Sequence, residues 1–589
     1  MRPASTSLLN ITARFDVLIL VDLALMSALW IATCFVIDPF GQFPLIDDWA
    51  FSRDVYHLLT TGQYSIVGWG PESLVSHIVL GTLASLPAGF SFTTLRFTCI
   101  VSGLLGVFGV YVLVRDLSEP RLVCLIAALT LAFFPGYLLV SYTFMTDIPF
   151  AAMIIWASVF FARNLRGGSD RELVIGTILA LVATLSRQVG LAVPLAFFSL
   201  LAFRKQDWTF RTVTRAAGPL VICLLALISY SLWMKVTHRV PTLNGNFTAP
   251  SFWNTKGLQA LLFNASLSIY FVPIYLGLFL STLLSLCWHR IFGGGVARLM
   301  AILSDRTAIK ICATLIILMV GAGCVLCWRD IDLFLPMYSR GNVLERFGFG
   351  PLSLRDIDTL GLYDHVGSVP NVFWIVITVI GLAGAFLLVV WVGVHGRELF
   401  KRPLQKSGPI SHDQTVGLFM ILCALFYWAP FLLWGYFDRH LCVLIPWVLA
   451  AVLAASEKMY AATLSIRSKS LWVSLVLLLV WGGISTSGTR DYLNLNRIRW
   501  KAIRDLVANQ HAELKDIDGG AEFNALYFFD PKKGDWSVGD TYLIAFGLVP
   551  GYSPLREYEY YNWFPPHTQK ILAMQKGECF SGGCKSTIR

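Results

Sequence analysis

About thirteen apolar segments of near membrane-crossing length run through this chain of 589 residues, and they limit its possible folds more than any other feature. In hydrocarbon every backbone amide and carbonyl must be paired within the protein, so segments of this kind fold as helices. The first extends from Val17 to Ile37, and the others lie near 97–114, 122–140, 148–162, 172–185, 189–203, 216–234, 258–287, 311–327, 372–394, 416–435, 441–455 and 471–485. The stretch from Leu74 to Leu86 is too short to cross and sits inside a loop, which places it at the interface. Only 14% of residues are charged and 56% are apolar, against roughly 25% charged in a soluble domain. A soluble enzyme is thereby excluded, as is a disordered or fibrous chain. The net charge of +10 does not call for nucleic acid as a partner, because basic cytoplasmic loops account for it.

Those basic residues fix the expected orientation. With a cytoplasmic N-terminus, the inside connections carry Arg2 and Arg14, Arg115 and Arg121, Arg163 to Arg171, Arg204 to Arg215, Arg290 to Lys310, Arg397 to Lys406, and Lys458 to Lys469. The alternation holds across the whole count and leaves the C-terminus outside. Residues 1–37 lack a small-residue cleavage site, so the first helix reads as a retained anchor. Two long outside regions interrupt the pattern, at about 38–95 and about 328–371, and composition changes again near 486. We therefore expect a transmembrane domain over 1–485 and a small α/β extracytoplasmic domain over 486–589. The latter holds a basic amphipathic stretch (Asn496 to His511), a turn at Asp518-Gly519-Gly520, and a strand-like run from Asn524 to Phe529. Cys579 and Cys584 flank a short glycine-containing loop there and read as a disulfide in an oxidising compartment. A metal site would need further ligands, and the nearest histidine is a lone His567.

The chemistry-bearing residues concentrate in the first outside region. Phe51, Val55, Leu58 and Leu59 share one helical face with Gly62 placed to stop the helix, which predicts an amphipathic helix along the outer membrane surface. Arg53, Asp54 and His57 would form its solvated face. Asp47 and Asp48 stand at its start; one could simply be the N-cap, or one could cap while the other serves as a catalytic carboxylate aimed into a cavity. Asp147, between Thr146 and Pro149, likewise reads either as a helix start or as functional. Asp22 lies so near the cytoplasmic end of the first span that it could reach the interface.

Taken in order, these signals resemble a known family. The acidic pair followed by a helix ending in Gly62-Gln63-Tyr64, then Leu95-Arg96-Phe97, Phe144 to Phe150 with Asp147, Ser186-Arg187-Gln188-Val189-Gly190, and Phe437-Asp438-Arg439-His440 with Pro446 downstream are similar to motifs of the GT-C glycosyltransferases. The resemblance is to the protein-mannosyltransferase-like group, which includes the aminoarabinose transferases of lipid A. It covers 38–205 well and 415–455 loosely. Gly70-Pro71-Glu72-Ser73 stands where relatives often have Pro-Pro or Lys-Pro, and His440 where tyrosine is common; both departures leave the sugar and the acceptor open.

The resemblance implies an all-α polytopic fold and an inverting transfer of a sugar from a polyprenyl-phosphate donor to a glycan, lipid or protein acceptor outside the cytoplasm. It implies an integral protein of a bacterial inner or plasma membrane. An acceptor hydroxyl needs a carboxylate base, for which Asp47 is preferred, leaving Asp48 to cap. The departing lipid phosphate needs guanidinium groups or a metal; Arg187 and Arg439, with His440 beside them, are the candidates. If Asp47 and Asp147 face one another they could share Mg or Mn. The competing class is a transporter or lipid flippase, whose site would lie at the bilayer midplane between repeated halves. No such internal repeat is visible, and the polar clusters fall at the outer ends of helices.

Overall fold

The computed structural model describes residues 5–70, 72–203, 209–241, 249–286, 305–337, 341–401, 412–455 and 468–577. The Cys579–Cys584 pair and many of the inside-loop basic residues, such as Arg2, Arg204, Arg290, Lys406 and Lys458, lie outside the described residues.

All of the apolar segments fall on helices. In chain order these are α1 (Ser5–Ile37), α2 (Asp48–Thr61), α3 (Val75–Ala88), α4 (Phe92–Asp116), α5 (Arg121–Ala132), α6 (Pro135–Ser141), α7 (Asp147–Leu165), α8 (Asp170–Ser186), α9 (Ala192–Phe203), α10 (Phe210–Val236) and α11 (Ala249–Leu286). There follow α12 (Arg306–Trp328), α13 (Asn371–Lys401), α14 (His412–Trp434), α15 (Leu441–Ala455), α16 (Ser468–Gln510) and α17 (Ala521–Phe528). Ten described helices are long and apolar enough to cross a membrane, or eleven if α5 and α6 count as one span bent by 63°. The bend falls at Pro135, which begins α6 and cannot continue the amide ladder of α5. The expected count of about thirteen included α8, which has 17 residues, and the short helical stretch Gln188–Phe203. Between these two lies Arg187 in extended conformation, with φ −142 and ψ 129. The chain breaks there to present one side chain.

The helices that carry the candidate residues are among the most enclosed. The spans Asp147–Leu165 and Asp438–Ala455 are 78% and 89% buried, against 17% for α10 and for α12. Asp22 is itself fully buried rather than reaching the interface. It accepts from Tyr111 Oη at 2.6 Å and from the half-exposed Arg121 through Nε at 2.7 Å, so its charge is paired.

The first outside region is not a surface coat. Trp49, Phe51 and Val55 of α2 are buried in the common core, and so is Asp54, which was expected on a solvated face. Gly62 ends the helix in the left-handed conformation (φ 68), its amide bonded to Leu58 O at 2.9 Å. Arg96 explains the Leu-Arg-Phe signal. Fully enclosed, it donates to Pro39 O at 2.5 Å and Phe43 O at 3.0 Å, clamping the segment that leads into α2.

At the other end, α16 runs for 43 residues straight through the expected boundary near 485. Beyond it a four-stranded sheet is ordered β3-β6-β8-β7, formed by β3 (Ile517–Asp518), β6 (Tyr542–Ala545), β8 (Pro566–Lys576) and β7 (Tyr552–Trp563). Two small hairpins accompany it, β1–β2 (Leu344–Glu345 with Gly348–Phe349) and β4–β5 (Phe529–Asp530 with Asp535–Trp536). The run Asn524 to Phe529, expected as a strand, is mostly α17. The Asn524 side chain bonds both Asp518 and the Gly519 amide, curling the chain onto the end of β3. Arg499 of α16 and Glu522 of α17 form a buried ion pair at 2.8 Å that pins this unit to the long helix.

Candidate active site

The backbone before α2 is bent tightly. Ile46 has φ 57, a conformation costing a β-branched residue about 1–3 kcal/mol unless its surroundings hold it. Asp48 supplies that restraint. Its Oδ1 accepts from the Leu45 amide at 2.6 Å and its Oδ2 from the Phe144 amide at 3.1 Å, so one carboxylate ties the turn to the start of α7. The expectation that Asp48 caps α2 is therefore corrected, and Asp47 at the capping position makes no side-chain cap bond either.

Asp47 is instead aimed at other partners. Its Oδ1 accepts from Trp69 Nε1 at 2.8 Å, and its Oδ2 lies 3.7 Å from Arg439 Nη2. Trp69 is wedged among Trp49, Phe529 and Trp536, with ring centroids 5.3, 5.5 and 6.0 Å away. The β4–β5 hairpin of the tail thus helps hold the indole that orients Asp47.

Arg439 is shared. Its Nε is 3.7 Å from Asp147 Oδ2, so the guanidinium lies between the two aspartates, while Nη1 donates to Gly341 O at 2.7 Å. Asp438 locks the same loop by accepting from the Val343 and Leu344 amides at 2.8 and 2.7 Å. Arg187 pairs with Asp147 Oδ1 at 2.5 Å and with Glu72 Oε1 at 3.6 Å. His440 Nδ1 accepts from the Phe437 amide at 3.3 Å, and its Nε2 lies 3.3 Å from Arg187 Nη2 and 3.9 Å from Asp147 Oδ1.

Five sequence-flagged residues from four separate chain regions therefore meet: Asp47, Asp147, Arg187, Arg439 and His440. Three polar atoms in the cluster, Asp147 Oδ2, Glu72 Oε2 and Arg439 Nε, are buried without a hydrogen-bond partner among the described residues. Exposure within the cluster is greatest at Asp47. The Asp47 side chain keeps 30% of its surface, against 3% for Asp147 and 6% for Arg439. Burial raises the Asp47 pKa, with the Arg439 charge and the Trp69 hydrogen bond pulling the other way. A carboxylate with raised pKa is a better proton acceptor near neutral pH.

A divalent ion shared by Asp47 and Asp147 does not fit this donor set. Arg439 already fills the space between the two carboxylates, and Asp147 is engaged by both guanidinium groups. Among the described residues no group of three or more histidine, cysteine or acidic side chains is arranged to hold a metal.

Comparison with known proteins adds a partial family match. Residues 75–233 match the dolichyl-phosphate-mannose-protein mannosyltransferases. The matched segment runs from α3 into α10 and contains Asp147 and Arg187; Asp47, Arg439 and His440 lie outside it. This match bears out the resemblance to the GT-C glycosyltransferases over residues 75–233; the spans and the four-stranded sheet themselves supply the expected polytopic helical fold with a small sheet unit near its C-terminus. ArnT from Cupriavidus metallidurans, solved bound to undecaprenyl phosphate, is 13% identical with a TM-score of 0.37, covering 94% of this chain and 97% of that one. The oligosaccharyltransferase AglB from Archaeoglobus fulgidus, in complex with an inhibitory peptide and a dolichol-phosphate, is 14% identical with a TM-score of 0.36; the match covers 82% of this chain and 58% of that one. No curated protein sequence matches the chain.

Sequence reading missed Trp69, quoted Asp438 only as part of the motif around Arg439 without giving it a role, and noted Glu72 only as a departure from the family. Each acts across a long separation, with partners 22 to 115 residues away, and none carries a local signal.

Proposed function

We propose that this protein is an inverting glycosyltransferase that moves a sugar from a polyprenyl-phosphate carrier to a hydroxyl of an acceptor outside the cytoplasm. The observation that carries this reading is the pairing, at 3.7 Å, of the half-open Asp47 carboxylate with Arg439, itself part of a buried two-guanidinium cluster. A proton acceptor and an anion receptor share one site, and displacement at a sugar phosphate uses both.

In this mechanism Arg187 and Arg439 take the donor phosphate, and Asp147 holds both cations in place before it arrives. The acceptor hydroxyl approaches from the open side at Asp47. Its oxygen forms a bond to the anomeric carbon as the bond from that carbon to the phosphate oxygen breaks on the opposite face, so configuration inverts. The hydroxyl proton passes to Asp47, and the charge released on the polyprenyl phosphate is met by the two guanidinium groups. The family match supports a lipid-phosphate sugar as donor. The basic-residue pattern supports an active site on the outer face of the membrane, with the N-terminus inside; a bacterial inner or plasma membrane is what the family resemblance implies.

Incubating the purified protein with a panel of polyprenyl-phosphate sugars, and following release of polyprenyl phosphate with candidate acceptors, tests this reading. Donor-dependent release that requires Asp47 supports it; failure to bind any polyprenyl phosphate contradicts it.

A further inference from the structure

Beyond the cluster lies a cavity of about 590 Å³ with α2 as one wall and the end of α17 as the other, within the 300–1,000 Å³ typical of small-ligand sites. We propose that it is the acceptor subsite and that it receives a saccharide. The inference rests on the glycosyltransferase reading and adds to it the chemical class of the acceptor.

Position comes first. The helix that begins beside Asp47 supplies Arg53, Asp54, Tyr56 and His57 to the cavity. With a rise of about 1.5 Å per residue, Arg53 stands about 9 Å along the axis from Asp47, the reach of one or two sugar rings. The opposite wall is coupled to the same carboxylate. Tyr527 lines the cavity, and two residues on, Phe529 packs against Trp69, which donates to Asp47.

Chemistry gives the class. Tyr56, Phe90 and Tyr527 keep 54%, 36% and 47% of their surface exposed around the cavity, with the Tyr56 and Phe90 rings 5.2 Å apart. Arg53 and His57 add hydrogen-bonding capacity, and the buried Asp54 has one carboxyl oxygen, Oδ2, with no partner among the described residues. A sugar ring offers an apolar C–H face to aromatic rings and a rim of hydroxyls to charged and amphoteric groups. An extended peptide, by contrast, is usually recognised through a free backbone edge; the α2 wall is helical, and in the non-helical stretch from Ser65 to Val67 that also lines the cavity the Val67 amide is already donated to Asp54 Oδ1 at 2.7 Å.

Saturation-transfer NMR on the full-length protein in detergent tests this, with mannobiose, diacetylchitobiose and a serine/threonine peptide as probes. At least one disaccharide should receive transfer from wild type. Tyr56→Ala combined with Tyr527→Ala should reduce that transfer about fivefold or more, the scale of one or two lost aromatic contacts, while Tyr527→Phe should retain it. Transfer to neither disaccharide, transfer unchanged in the double alanine variant, or transfer only to the peptide would each overturn the proposal. Polyprenyl-monophosphate binding, measured in parallel, should be equal in wild type and variants. Its absence from wild type would defeat the glycosyltransferase reading, whereas its presence without saccharide binding would defeat only the assignment of the cavity.

Discussion

The indole N–H of Trp69 donates to Asp47 Oδ1 at 2.8 Å, and the ring that carries it is packed against Phe529 and Trp536 of the tail. The candidate base is therefore oriented by a residue of its own loop and steadied by a unit more than 450 residues away in sequence.

This bond has a titration signature. Donation to a carboxylate favours its charged form, so Trp69 works against the burial that raises the Asp47 pKa. Trp69→Phe keeps an aromatic ring but loses the donor, and the Asp47 pKa should rise further. A base works only when deprotonated, so the acidic limb of the pH–rate profile should move to higher pH, with donor binding unchanged. A profile that falls uniformly without shifting would mean that Trp69 is only packing.

Asp48 has a different task and a different signature. Asp48→Asn leaves one carbonyl to serve two amides, those of Leu45 and Phe144. A buried unpaired amide costs about 1–3 kcal/mol, and unfolding measured in detergent should show a loss of that size. Burial pushes the Asp48 carboxyl up to about 7, against the Phe144 amide, the Arg96 charge and the Leu45 amide. Because the folded pKa exceeds the unfolded value of about 3.9, the folded state favours the protonated acid. The stability this contributes is full below about pH 4 and is lost as pH rises through about 7. The asparagine variant should lack that dependence.

Arg187 should hold the donor phosphate. Arg187→Ala removes a buried charge-assisted donor, and polyprenyl-monophosphate affinity should fall about 10- to 100-fold. Arg187→Lys should keep part of it as a point charge without the two-pronged geometry. Equal affinity in wild type and both variants, measured by lipid-binding titration, would place the phosphate elsewhere.

How much of this was legible in the sequence depends on whether the signal was local. The spans were, because hydrocarbon forces helix on any long apolar run. The break at Arg187 was not, since a short apolar helix on each side reads like two crossings. The aromatic stretch Asn524 to Phe529 has strand-like composition, yet the side-chain bonds from Asn524 to Asp518 and Gly519 turn it into a helix. At the site, Asp47, Asp147, Arg187, Arg439 and His440 stood out through their places in short motifs and at helix ends. Which aspartate of the pair performs which role did not, because a carboxylate bonding backbone 96 residues away looks locally like a helix cap.

Asp47→Asn tests the central claim most directly. The amide keeps the shape of the side chain and can still pair with Trp69 through its oxygen, but it cannot take a proton from the acceptor. Sugar transfer measured with saturating donor should fall about 10²- to 10⁴-fold, while polyprenyl-phosphate binding stays as in wild type because Arg187 and Arg439 remain. Transfer near the wild-type rate in a folded, donor-binding Asp47→Asn protein would contradict the assignment of Asp47 as the base and the mechanism built on it.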